Sequence, residues 1–435
     1  MAPRIILRLG FILIIYMAMV SLPLKSLAQT AEESIETLKK TAPKIYIDCF
    51  WCDQDYIRTE ITFVNYVRDR KEAQIHILIT TRSTGGGGKE YTLFFMGQNE
   101  FEGINDTHKF FTEQNATADE IRAALVQALK VGLMSYVAKT PIARRIKIDF
   151  KTPPPPREEK DKWNYWLFNL SLSGHFNGEK SYANRSLRTS FSANRVTEEL
   201  KIQLSLSLGH IFQRFSYGSR EITSSMDTYN FNGLVVKAIN DHWSIGGYLR
   251  ATSSTYENIQ FELSPAPAIE YNVFPYSQSS RRQLRFLYRF GFNTVNYREE
   301  TIYEKLKENL WLESLSVTLD LKEKWGSIST TLAGSHYFHD FKKNRLTLFS
   351  VINLRLVKGL DFFIFGGGSR IHDQLSLPKG GATFEEILLR RKQIETNYSY
   401  WFSVGLSYTF GSIFTNVVNP RFGSSGHGGL SIIID

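Results

Sequence analysis

From Trp163 to Phe410 one pattern repeats: large apolar residues alternate with polar ones, position by position. A period of two puts successive side chains on opposite faces of a β-strand. Trp166, Phe168, Leu170 and Leu172 alternate with Asn169, Ser171 and Ser173. Leu315, Val317, Leu319 and Leu321 alternate with Ser314, Ser316, Thr318 and Asp320. Twelve such segments fall between residues 164 and 410. That is about 21 residues per strand and connection, against roughly 9–11 for a transmembrane strand alone. After residue 30 no apolar run reaches the roughly 18 residues that a membrane helix needs. Any membrane domain beyond that point must therefore be a β-barrel, the other structure that pairs every backbone group inside lipid. A soluble β-sandwich also alternates. Bulky aliphatic and aromatic residues on one face of all twelve segments favour the barrel.

The amino terminus reads as a secretory signal over residues 1–28. Arg4 and Arg8 precede the apolar stretch Ile5 to Leu24, and Ser26-Leu27-Ala28 offers small residues for cleavage before Gln29. Pro23 and Lys25 shorten the apolar run and argue against an uncleaved anchor. The whole chain of 435 residues has a formal charge of +9; cleavage leaves 49 basic against 43 acidic side chains, or +6. That excess is modest, and in an exported protein it does not point to nucleic acid. Two cysteines exclude a disulfide-rich scaffold and a four-cysteine zinc site.

Residues 29–151 are expected to form a small α/β domain of order βαββαβ. Lys44 to Cys49 reads as a strand. Asp53 can cap a helix with apolar residues at Ile57, Ile61, Val64 and Val67. Ala73 to Ile79 alternates, and the turn Thr84 to Gly88 leads into a strand with Tyr91, Leu93 and Phe95 on one side. Thr117 to Glu120 is a capping box before a helix that buries Ile121, Leu125, Leu129, Leu133 and Tyr136. Arg145 to Phe150 reads as a last strand. Residues 152–162, four prolines followed by a charge run, form a stiff linker. The barrel then takes 163–411, and 412–435 form a tail on the inner side.

Connection lengths carry a second signal. Those after segments 2, 4, 8 and 10 are short, and those after 3, 5, 7 and 11 read as long. Outer-membrane barrels have short periplasmic turns and longer outside loops. An even strand count puts both barrel ends on the short-turn side, which places the α/β domain in the periplasm. Trp163, Tyr165, Trp243, Trp311, Trp325 and Trp401 lie near segment ends, where an interfacial girdle belongs.

Asp48-Cys49-Phe50-Trp51-Cys52-Asp53, Ile57 to Ile61 and Phe63 to Arg70 resemble uncharacterised outer-membrane barrel proteins of the Bacteroidetes type. So do Thr84 to Gly88, the ending Val404 to Ser412, and Val417 to Phe422. The resemblance spans nearly the whole mature chain and implies location and architecture, not an activity. At the level of βα order alone, the first domain is similar to small α/β domains of curli-secretion and Tol-type proteins.

Cys49 and Cys52 flank a strand end and a helix start. In an oxidising compartment the pair is expected to be a disulfide. The alternative is thiol–disulfide activity, since a helix amino terminus lowers a thiol pKa. Gly85 to Gly88 with Lys89 fails the phosphate-loop pattern, because Glu90 stands where Ser or Thr is required. Arg188, Lys201, Arg250, Arg285, Arg289, Lys322 and Arg355 fall on the polar face, with Glu270 and Asp320 as the few acids. They read as the lining of the barrel, either a salt-bridged ladder or an anion-favouring passage. His339-Asp340 and His372-Asp373 lie where outer loops begin and leave open an outer-rim hydrolase. The remaining histidines, among them His175, His210, His242, His336 and His427, are scattered. Residues 383–395, with Ile387, Leu388 and Ile394 against Arg390, Arg391 and Lys392, read as an amphipathic loop helix. No cofactor and no metal ligand spacing is expected. Expected partners are outer-membrane lipid and lipopolysaccharide, the barrel-assembly machinery and a periplasmic protein. The function expected is non-enzymatic: passage, assembly or envelope tethering.

Overall fold

The computed structural model describes residues 41–416, apart from 50, 85, 86, 149–160, 219, 381–391 and 413. The signal segment, nearly all of the proline linker, most of the loop-helix segment and the chain from 417 onward lie outside the described residues.

The first unit is a five-stranded mixed sheet with one long helix. Its strands are β1 (Lys44–Asp48), β2 (Asn65–Tyr66), β3 (Ile75–Ser83), β4 (Lys89–Gly97) and β5 (Asn105–Thr112), in the order β2-β1-β3-β4-β5. β1 pairs in parallel with β2 and β3, and the other pairs are antiparallel. Helix α1 (Gln54–Glu60) is capped by Asp53, whose Oδ1 accepts from the Tyr56 amide at 2.9 Å. It is shorter than the spacing of Val64 and Val67 suggests. The Tyr66 hydroxyl donates to the carbonyls of Ile57 and Ile61 at its carboxyl end, and both valines are buried in the extended chain that follows.

Helix α2 (Ala118–Val137) opens on the expected capping box, with Thr117 and Glu120 each accepting from the other's amide. Leu125, Leu129, Leu133 and Tyr136 bury its inner stripe against Ile45, Ile77, Leu93 and Phe95 of the sheet. Gly132 lets the helix approach: a Cβ there would meet the Phe95 ring at 2.2 Å. Three features depart from the βαββαβ order. The two-residue strand β2 stands between α1 and β3. β5, an edge strand of alternating burial, stands between β4 and α2. Pro141–Arg145 is a 3-10 turn, and the described residues after it, to Ile148, form no strand.

The second unit is a twelve-stranded antiparallel meander, each strand hydrogen-bonded to its neighbours in the chain. Its strands are β6 (Trp166–Gly178), β7 (Tyr182–Val196), β8 (Leu200–Tyr217), β9 (Arg220–Ala238), β10 (Trp243–Ser254) and β11 (Ile259–Asn272). They continue with β12 (Arg282–Tyr297), β13 (Lys307–Glu323), β14 (Gly326–Tyr337), β15 (Asp340–Val357), β16 (Leu360–Ile371) and β17 (Tyr398–Tyr408). All twelve segments read from the alternation are strands, and β6 and β17 stand at the two ends of the order.

Register separates two faces. In one continuous row Glu270 is followed by Leu287, Ser316, Ala333, Thr347, Ser369 and Ser399, a mostly polar series. On the opposite face Ile269, Tyr288, Leu315 and Gly334 form a neighbouring row, with Leu319, Leu321, Leu346 and Leu348 nearby. The apolar side chains of this face are exposed in the isolated chain, as a lipid-facing band requires. Trp243 and Tyr271 sit on it at one rim, with ring centroids 4.7 Å apart, and Phe290, Phe292 and Trp311 toward the other.

Two expectations are corrected. The connections after the third and fifth strands are not long: residues 218–219 and 255–258 are all that separate the strands. The hairpin itself grows, to 18 and 19 residues in β8 and β9, and residues 220–228, read as loop, form the first half of β9, with Thr223 paired to Arg214. Trp401 does not belong to the apolar girdle, because it pairs with Gly367 and so shares the polar face with Phe349 and Thr331.

Candidate functional site

The two units meet at the turns that follow even-numbered strands of the meander. In the turn after β13, the Lys324 carbonyl accepts from Arg70, and in the turn after β15, Lys358 pairs with Glu72. The Gly359 amide donates to Asp69 at 2.8 Å. Arg281, before β12, lies 5.9 Å from the Phe94 ring centroid. Past β17 the chain returns to the α/β unit: Phe414 bridges to Val67, the Tyr66 amide donates to Asn416 at 2.6 Å, and Thr415 donates to the Tyr66 carbonyl.

At the centre of this junction is a charge cluster. Arg355, near the end of β15, donates through Nη1 and Nη2 to the two oxygens of Asp48 at the end of β1, with Nη2 to Oδ1 at 2.6 Å. The Arg355 guanidinium also lies 5.2 Å from the Tyr46 ring centroid. His76 of β3, fully buried, approaches Asp48 Oδ2 through Nε2 at 3.2 Å. Burial alone raises the Asp48 carboxyl pKa; hydrogen bonds from Arg355 and His76 outweigh that and bring it down to about 2. Burial lowers the His76 pKa, against the pull of Asp48, so the imidazole is neutral and donates from Nε2. Burial likewise pushes Tyr46 up to about 12. Beside the cluster a cavity of about 200 Å³ is lined by Arg68, Asp69, Arg70, Lys71, Arg355 and Asp361.

The register puts all seven basic residues singled out in the sequence on one face of the meander. Arg188 pairs with Ser173 and Gly209, Lys201 with Val236, Arg250 with Asn232 and Ser264, and Lys322 with Ser327. Arg285 pairs with Asn272 and Thr318, and Arg289 with Ala268 and Ser314. They do not form a ladder of ion pairs. Arg285 stands 3.7 Å from Glu270, and Arg355 is bound by Asp48 of the other unit. Arg289 donates to Ser314 Oγ at 3.1 Å and lies over the Tyr248 ring. Arg188, Lys201 and Arg250 make no ion pair or side-chain hydrogen bond among the described residues, and all three are exposed. Arg250 and Arg289 share a cavity of about 380 Å³ with Tyr248, Glu262 and Asn293.

Cys49 and Cys52 are joined by a disulfide, with Cα atoms 5.6 Å apart, beside the amino end of α1. The histidine–aspartate neighbours near the outer loops do not assemble. Arg345 binds Asp373, the Asp340 carboxylate accepts from the Lys342 amide, and neither His339 nor His372 meets a carboxylate among the described residues. Instead, His336 and Tyr288 both donate to Glu313 on the apolar face, and His210 pairs with Asp227. His175 falls on the polar face opposite Ser186, and His242 approaches the Asn272 carbonyl at 2.8 Å. His427 lies outside the described residues. The junction cluster was not read from the sequence, because its partners are 307 positions apart.

No family model and no curated protein matches this chain. Among solved structures it is similar to the NanC porin, over 56% of this chain and 100% of that one, at 10% identity and a TM-score of 0.27. It is also similar to the translocator domain of the autotransporter NalP from Neisseria meningitidis, over 56% and 87%, at 11% identity and a TM-score of 0.24. The beta domain of the Bordetella autotransporter BrkA aligns over 56% and 98%, at 11% identity and a TM-score of 0.24.

Proposed function

We propose that the chain is an outer-membrane β-barrel that passes small anions, with its α/β domain docked at the periplasmic mouth. One observation carries this reading. Arg188, Lys201 and Arg250 project from the polar face without a counter-ion among the described residues. Exposed cations with no partner cost little in a wet lumen and favour anions there. A lumen sealed by its own charges would instead pair them, because unpaired charge in a dry interior is expensive.

The lipid reading rests on the other face, where one rim carries Trp243 and Tyr271 and the apolar band runs between the rims. Lipid and lipopolysaccharide are then the partners of that face. The even-numbered turns carry the α/β domain, so the domain and both barrel ends share one side. Passage fits this geometry better than rim hydrolysis, since neither His339 nor His372 meets a carboxylate. The disulfide fits a structural clip better than a redox centre, because it closes a small loop at the start of α1.

The test is the reversal potential of purified full-length protein in planar bilayers under a salt gradient. Anion selectivity is expected, with a shift toward cations in the Arg188→Glu, Lys201→Glu and Arg250→Glu triple variant. Cation selectivity in the unaltered protein overturns the reading.

A further inference from the structure

Strand β11 carries two prolines, Pro265 and Pro267, although it lies between β10 and β12 inside the meander. Proline has no amide to donate and is normally kept to edge strands and bulges. Two residues apart, both missing amides face the same neighbour. The ladder with β10 runs through them, but pairing with β12 stops at Leu263 with Thr294 and resumes only at Ala268 with Arg289. The cavity of about 380 Å³ lies at this interruption, lined by Ser264 and Ala266 from one side of it and Gly291 and Asn293 from the other. Its walls come from six consecutive strands, β9 to β14, so it does not depend on how β6 and β17 close.

Three charged groups stand around a floor of small residues. Gly291 keeps that floor low, since a Cβ there would meet Leu312 Cδ2 at 3.0 Å. Arg289 is fixed in place: Nε donates to Ser314 Oγ at 3.1 Å, and the guanidinium lies 5.3 Å from the Tyr248 ring centroid. Its terminal nitrogens make no hydrogen bond among the described residues. Glu262 is fixed through Oε1 alone, which accepts from Ser264 at 2.8 Å and from Asn293 at 3.1 Å. Glu262 Oε2 accepts nothing among the described residues. Arg250 is a diagonal neighbour of Glu262 across the β10–β11 ladder, within reach of a long side chain, yet the two do not pair. Two guanidinium groups and one carboxylate therefore share a cavity with donors and an acceptor still open.

We infer that this cavity binds an acidic amino acid, a substrate class that rests on the passage reading above. Such a molecule is a small anion with two carboxylates and one ammonium, the mirror of the charges around the floor. Arginine takes carboxylates through paired donors, so Arg250 and Arg289 each receive one acid group. The ammonium donates to Glu262 Oε2. A few convergent polar groups in a concave site fix both class and orientation. An inorganic anion would meet Glu262 as a like charge. A dicarboxylate without an amine would leave the Glu262 carboxylate desolvated and unanswered, which is costly. A neutral amino acid would leave one guanidinium without an acid.

Glutamate is the probe, with glutarate, which lacks the amine, and alanine, which lacks the second acid, as comparisons. Binding to the full-length protein in detergent is measured by calorimetry, which needs no open channel. Saturable binding of glutamate is expected, with glutarate and alanine both several-fold weaker. Arg250→Gln should weaken glutamate about tenfold, the scale of one hydrogen bond to a charged group. Glu262→Gln should erase the preference for glutamate over glutarate. Heat-modifiable migration of each variant verifies its fold. Absence of saturable glutamate binding, glutarate or alanine binding as tight, unchanged affinity in Arg250→Gln, or an unchanged preference in Glu262→Gln each overturns the site. An anion-selective channel that does not bind glutamate overturns the site alone, and a cation-selective channel that still binds it overturns the passage reading alone.

Discussion

At the scale of single residues, the contact between Asp48 and Arg355 decides how the two units hold together. Both side chains are largely buried, with Asp48 18% and Arg355 23% exposed, so removing one partner strands the other. Arg355→Ala should cost about 3 kcal/mol of docking, and hydrogen exchange at the amides of β1 and β3 should then rise about a hundredfold. Exchanging the charges, Asp48→Arg with Arg355→Asp, should restore part of the protection. The pH dependence follows from the same group. The native Asp48 carboxyl titrates near 2, below its ordinary 3.8, so its contribution is complete above pH 3.8 and is lost as pH falls toward 2. His76 acts in the same direction from a higher start. Its pKa lies below the ordinary 6.5, so the native state resists protonation and stability falls as pH drops below 6.5. Unfolding by urea of the full chain at pH 7, 5 and 3 should show a falling midpoint. In Asp48→Asn, most of the loss between pH 4 and pH 3 should disappear.

At the scale of elements, what was legible in the sequence depended on period and on position. Strand β12 was legible along its length, because Phe286, Tyr288 and Phe290 alternate with Arg285 and Arg289, broken only by Leu287. The first half of β9 was read as loop, because Thr223, Ser224 and Ser225 put polar groups on both faces where the hairpin leaves the apolar band. Polar residues on both faces mark the end of lipid, not the end of pairing. β5 escaped for a related reason, as a short edge strand with polar residues on its exposed side. Helix α2 was legible because its cap and its buried stripe agree. Its contact with the sheet was not, because Gly132 has no local signal. Gly132→Ala should cost about 1–3 kcal/mol through the collision with Phe95, read as a lower midpoint of thermal unfolding. The turns also offer a test of the proposed orientation. Lys180 lies in the turn between β6 and β7, and Asp241 in the turn between β9 and β10 on the side of the α/β domain. In a Cys49→Ser/Cys52→Ser background, Lys180→Cys should react with a membrane-impermeant maleimide on whole cells, and Asp241→Cys should not. The opposite labelling would put the α/β domain outside.

At the scale of the whole molecule, the meander has two edge strands to account for. β6 and β17 each present a row of backbone donors and acceptors, and such edges are not tolerated in lipid. Their faces suit each other. Phe168, Leu170 and Leu172 of β6 lie on the apolar face, as do Phe402, Val404 and Leu406 of β17; Asn169, Ser171 and Ser173 lie on the polar face, as do Ser399, Ser403 and Ser407. Twelve strands also leave β6 and β17 running in opposite directions, so an antiparallel ladder can close between them. Closure joins the apolar rows into one band and brings Trp401 beside the polar row of β6. It also leaves the α/β domain touching one ring of turns, so the domain docks without taking part in the barrel wall. Ser171→Cys, in a chain with Cys49 and Cys52 replaced by serine, should therefore crosslink in native membranes to a second cysteine placed on β17. Strand shear moves the partner along β17, so Ser399, Ser403 and Ser407 are each replaced in turn. One of the three should give a crosslinked species that no longer shifts when heated on gels, because the covalent seam keeps the sheet circular. If all three stay uncrosslinked under oxidation in membranes, the seam is not formed by these two strands.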